Sequence, residues 1–102
     1  MNRRTKALAI SQTVKRHVYE RDQGRCILCG SPRGVPDAHY ISRAQGGMGI
    51  EKNIVTLCPE CHWKYDQSTE RWMLREEIRE YLAGSYPDWD ENDLVYQKYG
   101  GQ

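Results

Sequence analysis

The segment Cys58-Pro59-Glu60-Cys61-His62-Trp63-Lys64-Tyr65-Asp66 places four side chains that can bind metal within nine positions. Cys58 and Cys61 have the C-x2-C spacing that supplies two corners of a tetrahedral zinc site. His62 and Asp66 are four residues apart, so on a helix they lie on one face, where they can share a second metal ion. The segment therefore predicts two metal sites, one that fixes the fold and one that carries the chemistry.

The length and composition indicate one domain with a small core. The chain has 102 residues, of which 38% are hydrophobic, and no phenylalanine, so we expect a covalent or metal staple to support the core. The four cysteines can supply two disulfides or one zinc site. No signal peptide and no membrane-spanning stretch is visible, which predicts a cytoplasmic protein without membrane contact. In that compartment, paired C-x2-C spacings favour zinc over disulfides.

The net charge of +1 conceals an uneven distribution. Residues 1–33 carry a net charge of +6, residues 34–66 carry −1 and residues 67–102 carry −4. The basic first third is a candidate surface for nucleic-acid phosphates, although solvated surface charge explains it equally well. The candidate phosphate-binding residues are Arg3, Arg4, Lys6, Lys15, Arg16, Arg21 and Arg25.

Local sequence signals predict an α+β chain built on a two-stranded hairpin with a long, glycine-rich connection. The chain is predicted to begin with a mobile basic arm over 1–10, followed by a helix that Ser11 or Thr13 caps and that runs to about Gln23. Strands over 37–41 and 54–57 follow, and then a helix capped by Cys58 with Pro59 in its first turn. The predicted C-terminal elements are a helix over 69–83 that Gly84 ends and a short last helix through Leu94, Val95 and Tyr99.

The second cysteine pair, Cys26-x2-Cys29, is separated from Cys58-x2-Cys61 by 28 residues. The predicted hairpin and its loop account for that length, so a zinc ion would clamp the hairpin at its base. Gly30 follows the second cysteine, where it allows a knuckle turn around the metal. Because all four thiolates are needed to complete a tetrahedral shell, the site has no open position and is expected to be structural.

A second set of polar residues remains once the cysteines are assigned. His39 lies on the first predicted strand, Asn53 precedes the second, and His62 and Asp66 follow on the helix. Asp37, or the backbone near it, can add a ligand for a divalent cation. Taken singly, these residues are more often a structural histidine, a turn former and a solvated carboxylate. Their joint order with the four cysteines favours a metal-dependent phosphodiester hydrolase.

Three motifs in fixed order resemble a known family. They are Arg21-Asp22-x-Gly-Arg25-Cys-x2-Cys-Gly, then Ala38-His39-Tyr-Ile-Ser-Arg-x-x-Gly46-Gly47, then Asn53-Ile-Val-Thr-Leu-Cys58-x2-Cys61-His62-x3-Asp66. Together they resemble an HNH endonuclease, with His39, Asn53 and His62 as the three residues of the name. The C-terminal region, particularly Tyr86-Pro87-Asp88-Trp89, is similar to small phage-type HNH proteins. The resemblance implies a small ββα-metal (His-Me finger) fold with a four-cysteine zinc ribbon, flanked by an N-terminal helix and C-terminal helices.

The resemblance also implies a role for each site residue. His39 would be the general base that activates water, and Asn53 would hold His39 in orientation through backbone hydrogen bonds. His62 would ligate the catalytic Mg²⁺ or Mn²⁺, Asp66 falls where some members place a second ligand, and Arg43 would contact the scissile phosphate. The products would carry 5′-phosphate and 3′-hydroxyl ends.

One position departs from the family pattern. Many members have Asp or His immediately before the base as a metal ligand, whereas this chain has Ala38. Either Asp37 supplies the missing ligand, or the register shifts so that His39 is the ligand and Tyr40 stands at the base position. The spacing to Gly46-Gly47 favours His39 as the base.

The leading hypothesis is a metal-dependent DNA endonuclease that nicks or cleaves duplex DNA with low sequence specificity. Residues 11–102 would form one nuclease domain, with its core motif at 21–66 and a helical extension at 67–102. One active site per chain leaves a homodimer or sequential nicks as routes to double-strand cutting. The alternatives are a non-catalytic zinc-ribbon module that binds nucleic acid, and an accessory subunit of a phage DNA-packaging machine.

Overall fold

A computed structural model describes residues 2–97, in which a two-stranded antiparallel sheet lies among four α-helices. The elements are α1 (Arg3–Leu8), α2 (Gln12–Arg21), β1 (Val35–His39), β2 (Ile54–Leu57), α3 (Pro59–Gln67) and α4 (Arg71–Ser85), with short 3-10 helices at Arg43–Gln45, Glu51–Asn53 and Glu91–Leu94. The unit β1–β2–α3 is the ββα arrangement that the sequence predicts. None of the helices in the described part of the chain combines the length and hydrophobicity that a membrane crossing requires.

The hairpin pairs Ala38 with Val55 and His39 with Ile54, and its register is irregular between Val35 and Ala38. Strand β2 has the predicted bounds. Strand β1 covers 35–39 instead of the predicted 37–41, because the chain turns away from the ladder after His39. The N–H groups of the next two residues bond to Asn53: that of Tyr40 to its carbonyl oxygen at 2.7 Å, and that of Ile41 to its Oδ1 at 2.9 Å.

Two helices begin at predicted caps: α2 at Ser11, one of its two predicted alternatives, and α3 at Cys58. The Ser11 hydroxyl accepts the Val14 N–H at 3.1 Å, and the Cys58 sulfur accepts the Cys61 N–H at 3.4 Å, with Pro59 as the first residue of α3. Both caps satisfy backbone donors that have no partner within the helix.

The C-terminal elements differ from the prediction. Helix α4 runs through Gly84 to Ser85 and stops at Tyr86, because the residue before Pro87 is disfavoured in helical conformation. The last helix is a four-residue 3-10 turn that Asp90 caps. Tyr99 lies outside the described residues.

The N-terminal residues are packed against the fold, which corrects the expectation of a mobile arm. Residues 3–8 form α1, and the Leu8 side chain is buried. The Gly49 N–H donates to the Ala7 carbonyl at 3.0 Å, which ties α1 to the loop between the strands. The reason that the sequence did not reveal this helix is its length, since a six-residue helix depends on tertiary contacts for its stability.

The core lies between the sheet and helices α3 and α4. Its buried side chains include Ala38, Tyr40, Ile41, Val55, Leu57, Tyr65, Ile78, Leu82 and Leu94. The Tyr65 hydroxyl donates to the Tyr40 carbonyl at 2.6 Å, so α3 is joined to the end of β1 by a buried hydrogen bond. This contact fixes the helix that carries His62 relative to the strand that carries His39.

Arg21 is part of the folded interior and is removed from the predicted phosphate-binding set. Its guanidinium forms a two-point ion pair with Asp22, at 2.7 and 3.0 Å, and donates to the carbonyls of Glu51 and Ile54. Its side chain is 15% exposed and that of Asp22 is fully buried. A guanidinium with these partners has no free edge for a DNA phosphate, and it joins the end of α2 to β2.

Candidate active site

The four cysteines form one cluster at the base of the hairpin. The sulfurs of Cys26, Cys29, Cys58 and Cys61 all lie within 4.8 Å of one another, and Cys29 and Cys58 are 3.6 Å apart. Sulfurs bound tetrahedrally to one zinc ion at about 2.3 Å are about 3.8 Å apart, so the four residues fit a zinc ion. They are positioned to bind a metal ion, as the C-x2-C spacings predict.

Backbone groups prepare this cluster for a cation. The Gly30 φ angle is +79°, which is the left-handed conformation predicted for the knuckle, and its N–H donates to the Cys26 carbonyl at 2.9 Å. Burial raises the pKa of the Cys26 thiol, but hydrogen bonds from the backbone of Cys58, Cys29 and Leu28 outweigh burial and lower it to about 7. A lowered pKa favours the thiolate of Cys26, which is the form that binds metal. Burial raises the pKa of the Cys58 and Cys61 thiols, so a metal ion would have to displace their protons.

A cleft of about 570 Å³ contains most of the predicted catalytic residues. It is lined by Ala9, Ile10, Lys15, Asp37, His39, Ser42, Arg43, His62, Asp66 and Arg71. The strand β1, the helix α3 and the N-terminal segment each contribute to its walls. The fold thus brings together Asp37, His39 and Arg43 with His62 and Asp66, although about 25 residues separate the two groups in sequence.

His39 occupies a partly buried position in this cleft. Its Nε2 lies 2.9 Å from the carbonyl oxygen of Leu8 in α1. Burial lowers the pKa of His39, the Leu8 carbonyl opposes that effect, and the positive charge of Arg43 adds to the lowering. A lowered pKa keeps the imidazole neutral near pH 7, and only the neutral form can accept a proton.

The His62 imidazole lies between two carboxylates. Its Nδ1 is 3.6 Å from Asp37 Oδ1, and its Nε2 is 3.3 Å from Asp66 Oδ2. The Asp37 Oδ1 atom is covered and has no hydrogen-bond partner among the described residues, whereas the side chain as a whole is 41% exposed. Two ligands bound side by side to one cation at about 2.1 Å are roughly 3.0–3.6 Å apart, so the Asp37–His62 pair fits a divalent ion.

Asp66 contacts the opposite nitrogen of the same ring. An imidazole offers one nitrogen to a given ion, so Asp37, His62 and Asp66 cannot all bind the same ion. The predicted ligands fall into two pairs, Asp37–His62 and His62–Asp66. Within residues 2–97, the cysteine cluster is the one group of three or more such residues whose ligand atoms all lie within 4.8 Å. The second site therefore offers fewer protein ligands than the first.

The structure shows which residues near Ala38 face the cleft. The Ala38 and Tyr40 side chains are fully buried in the core, so a residue at either position faces away from the cleft. Asp37 and His39 alternate with them and line the cleft. The arrangement in which Asp37 replaces the missing ligand agrees with this geometry. The alternative with Tyr40 at the base position does not.

Asn53 holds the loop that follows β1. Its fully buried side chain accepts the Ile41 N–H and donates to the carbonyls of Ile41, at 3.1 Å, and Met48, at 2.9 Å. Gly47 must approach this loop closely, because a Cβ there would lie 1.7 Å from the Ile41 carbonyl oxygen. These contacts are the hydrogen bonds across the loop that the resemblance implies for Asn53.

Arg71 is a cleft residue that the sequence did not reveal. Its Nη1 donates to the Tyr65 carbonyl at 3.0 Å, and its guanidinium lies 4.4 Å from the centre of the Tyr65 ring. Together with Lys15 and Arg43 it gives the cleft three cationic side chains. No local signal distinguishes Arg71 from other arginines of α4, since only the turn between α3 and α4 brings it to the cleft.

Comparison with known proteins gives the relationship of this chain. The sequence profile of the HNH endonuclease family matches residues 26–68. Anaredoxin from Nostoc sp. (strain PCC 7120 / SAG 25.82 / UTEX 2576) is 30% identical over 53 residues, which cover 51% of this chain and 70% of that protein. The chain belongs to the HNH endonuclease family.

A solved structure agrees with the fold of this HNH protein. The Type IV phosphorothioation-dependent restriction endonuclease ScoMcrA matches with a TM-score of 0.61 at 23% identity. The match covers 74% of this HNH protein and 20% of the ScoMcrA chain. The likeness supports the small ββα-metal fold. Because this chain spans one fifth of the larger enzyme, the likeness is to one part of that enzyme.

Proposed function

We propose that this HNH protein is a metal-dependent DNA endonuclease that hydrolyses phosphodiester bonds of duplex DNA with low sequence specificity. The observation that carries the proposal is the buried, unpartnered Asp37 Oδ1, which faces His62 Nδ1 at 3.6 Å in the cleft that also contains His39. A buried carboxylate oxygen without a donor is costly unless a cation satisfies it.

The catalytic cation would be Mg²⁺ or Mn²⁺, held by Asp37 and His62. When bound, it would polarise the scissile phosphate and stabilise the leaving 3′ oxygen. Asp66 would orient the His62 ring through Nε2, as carboxylates commonly do for metal-binding histidines. This assignment removes Asp66 from the predicted ligands of the cation. The coordination positions that Asp37 and His62 do not fill would be open to phosphate and water.

His39 would take the proton from the attacking water. The Nε2 atom of His39 is hydrogen-bonded to the Leu8 carbonyl oxygen, and the lowered pKa of His39 keeps the ring neutral. Asn53 would act as a positioning residue by fixing the loop after β1. Arg43 and Arg71 would bind phosphate oxygens at the cleft, and the four cysteines would hold a structural zinc.

Duplex DNA would lie along the cleft and the basic N-terminal surface. Lys15 lines the cleft, and Arg3, Arg4, Lys6, Arg16 and Arg25 are exposed. Contacts of this kind read phosphate and not base sequence, so they support low specificity. We further propose that α1 and residues 11–102 act together as one cytoplasmic nuclease domain, in which double-strand cutting needs a homodimer or two successive nicks.

The test is nicking of supercoiled plasmid by the zinc-loaded protein with added Mn²⁺ or Mg²⁺. We expect His39→Ala to lower the nicking rate constant by about 10²–10⁴-fold, since that is the usual contribution of a general base. His17→Ala is the matched control, because His17 is exposed on α2 and pairs with Glu51 outside the cleft. It should retain the wild-type rate.

The outcomes separate the candidate functions. Nicking that survives His39→Ala removes His39 as the base. Wild-type protein that binds plasmid but does not cut with either metal supports the non-catalytic nucleic-acid module instead. Cutting that begins only when a phage packaging protein is added supports the accessory subunit.

A further inference from the structure

We infer that the N-terminal segment, residues 2–10, belongs to the catalytic machinery, because the Leu8 carbonyl fixes the tautomer of His39 and leaves Nδ1 as the base nitrogen. The catalytic consequence rests on the proposed nuclease function, whereas the tautomer itself does not. Leu8 and Gly49 are positioning residues, and Gly49 acts by allowing close contact with the segment. Neither residue belongs to a family motif in this sequence.

The hydrogen bond between His39 and Leu8 determines which ring nitrogen carries the proton. The Nε2 atom of His39 lies 2.9 Å from the Leu8 carbonyl oxygen. A carbonyl oxygen can only accept, so Nε2 must be the protonated nitrogen in the neutral ring. The remaining nitrogen, Nδ1, then has the free lone pair, and His39 lines the cleft in which a water would be activated.

The position of Leu8 in its helix explains why its carbonyl is available. Leu8 is the last residue of α1, and the final carbonyls of a helix have no partner within the helix. They also carry the negative end of the helix dipole, which favours a bond from a group that becomes positive when it accepts a proton. The buried Leu8 side chain anchors this carbonyl in place.

The segment is seated through a close approach at Gly49. The Gly49 N–H donates to the Ala7 carbonyl at 3.0 Å. A Cβ at Gly49 would lie 2.1 Å from the Ala9 carbonyl oxygen and 2.6 Å from its carbon, both of them backbone atoms. Any side chain at position 49 must therefore push the segment, and Leu8 with it, away from the loop and His39. Ala9 and Ile10 also line the cleft, so such a shift changes its wall.

The first experiment measures the tautomer in the wild-type protein. Long-range ¹H–¹⁵N spectra of the zinc-loaded protein, without Mg²⁺ or Mn²⁺, distinguish the two neutral imidazole tautomers. The chain has three histidines, so the spectrum of His39→Ala identifies the His39 signals. We expect His39 as the Nε2–H tautomer. The Nδ1–H tautomer in wild-type protein overturns the inference whether or not the protein cuts DNA.

The second experiment displaces the segment. Gly49→Ala should mix the two tautomers of His39 and lower kcat for plasmid nicking by about tenfold or more, with KM for DNA changed by less than about threefold. Gly84→Ala is the matched control, because a Cβ at Gly84 meets nothing within 4 Å. It should leave both the tautomer and kcat unchanged.

A variant that leaves the loop intact separates positioning from damage to the fold. Ala7→Pro removes a helical N–H and unwinds α1, and it leaves Gly49 and the residues of the sheet, α3 and α4 unsubstituted. It should repeat the tautomer change and the loss of kcat while zinc content stays at the wild-type value. If Gly49→Ala and Ala7→Pro both keep the Nε2–H tautomer and the wild-type kcat, the segment has no part in catalysis. If wild-type protein shows the expected tautomer but cuts no DNA, the proposed function fails and the Leu8–His39 assignment stands.

Discussion

Helix α3 contributes to two sites of different construction. At its first turn, Cys58 and Cys61 join the other two cysteines in a cluster whose sulfurs lie within 4.8 Å of one another. On the adjacent face, His62 meets Asp37 at 3.6 Å and Asp66 at 3.3 Å through different ring nitrogens. The first site can provide a complete tetrahedral shell, whereas the second would provide two ligands for the proposed cation and leave its remaining positions open.

The difference shows how one helix serves stability and chemistry together. Cys61 and His62 are consecutive, so their side chains point about 100° apart around the helix axis and reach different sites. A metal bound by the cysteines would fix the start of α3 against the hairpin. His62 would then be held relative to His39 through the start of α3, and the second site could exchange a cation while the fold persists.

The largest expected effect comes from removing one ligand of the four-cysteine zinc site. Cys58→Ser removes one zinc ligand and a buried core sulfur, and structural zinc sites contribute about 10–16 kcal/mol, comparable with the whole stability of a small domain. We expect loss of cooperative thermal unfolding and of stoichiometric zinc, measured by circular dichroism and metal analysis. Asp37→Asn should keep both, because it changes only the open site. A metal-free Cys58→Ser protein with a wild-type melting curve would contradict a structural role for zinc.

The contrast also explains which parts of the fold the sequence predicts. The caps at Ser11 and Cys58 and the bounds of β2 follow from signals within a few residues, and the structure has them as predicted. The end of β1 depends on Asn53, which lies more than ten residues away, so local propensity placed the strand two residues too late. Helix α1 likewise depends on its contact with Gly49, a tertiary interaction with no local signature.

The two candidate metal sites also differ in how far the sequence predicts them. The cysteine cluster follows from spacing, since four thiolates of suitable separation have few other uses. The open site is less determined by sequence: whether Asp37 replaces the ligand absent at Ala38 depends on which side of β1 faces the cleft. The buried position of Tyr40 places Asp37 and His39 on the cleft side of β1. Arg71 and the Leu8 carbonyl reach the cleft only through packing, so no motif contains them.

A comparison of Asp37 and Asp66 tests which of the two carboxylates binds the proposed cation beside His62. Asp37→Asn should raise the Mn²⁺ concentration for half-maximal nicking by more than about 100-fold, because it removes a proposed ligand. Asp66→Asn should raise it by about 10–100-fold, the usual effect of losing a group that orients a ligand. Mn²⁺ binding followed by electron paramagnetic resonance gives the same comparison without cleavage.

The control for both variants is Glu60→Gln, which removes a carboxylate from the same helix. Glu60 is exposed and pairs with Arg33 outside the cleft, so Mn²⁺ affinity should be unchanged. A larger loss in Asp66→Asn than in Asp37→Asn would place the cation at Nε2 of His62 and reverse the assignment.

The smallest expected effect concerns how the open site holds its substrate. Arg71→Ala should weaken duplex DNA binding by a few-fold and reduce the slope of log affinity against log salt by about 0.9, the loss of one phosphate contact. Fluorescence anisotropy in the His39→Ala background at about 50–200 mM salt measures binding without cleavage. Arg79→Ala is the matched control on α4, since Arg79 pairs with Glu76 and Glu91 away from the cleft. An equal salt slope in both variants would mean that Arg71 serves only its contact with Tyr65, and that Lys15 and Arg43 supply the positive charge of the cleft.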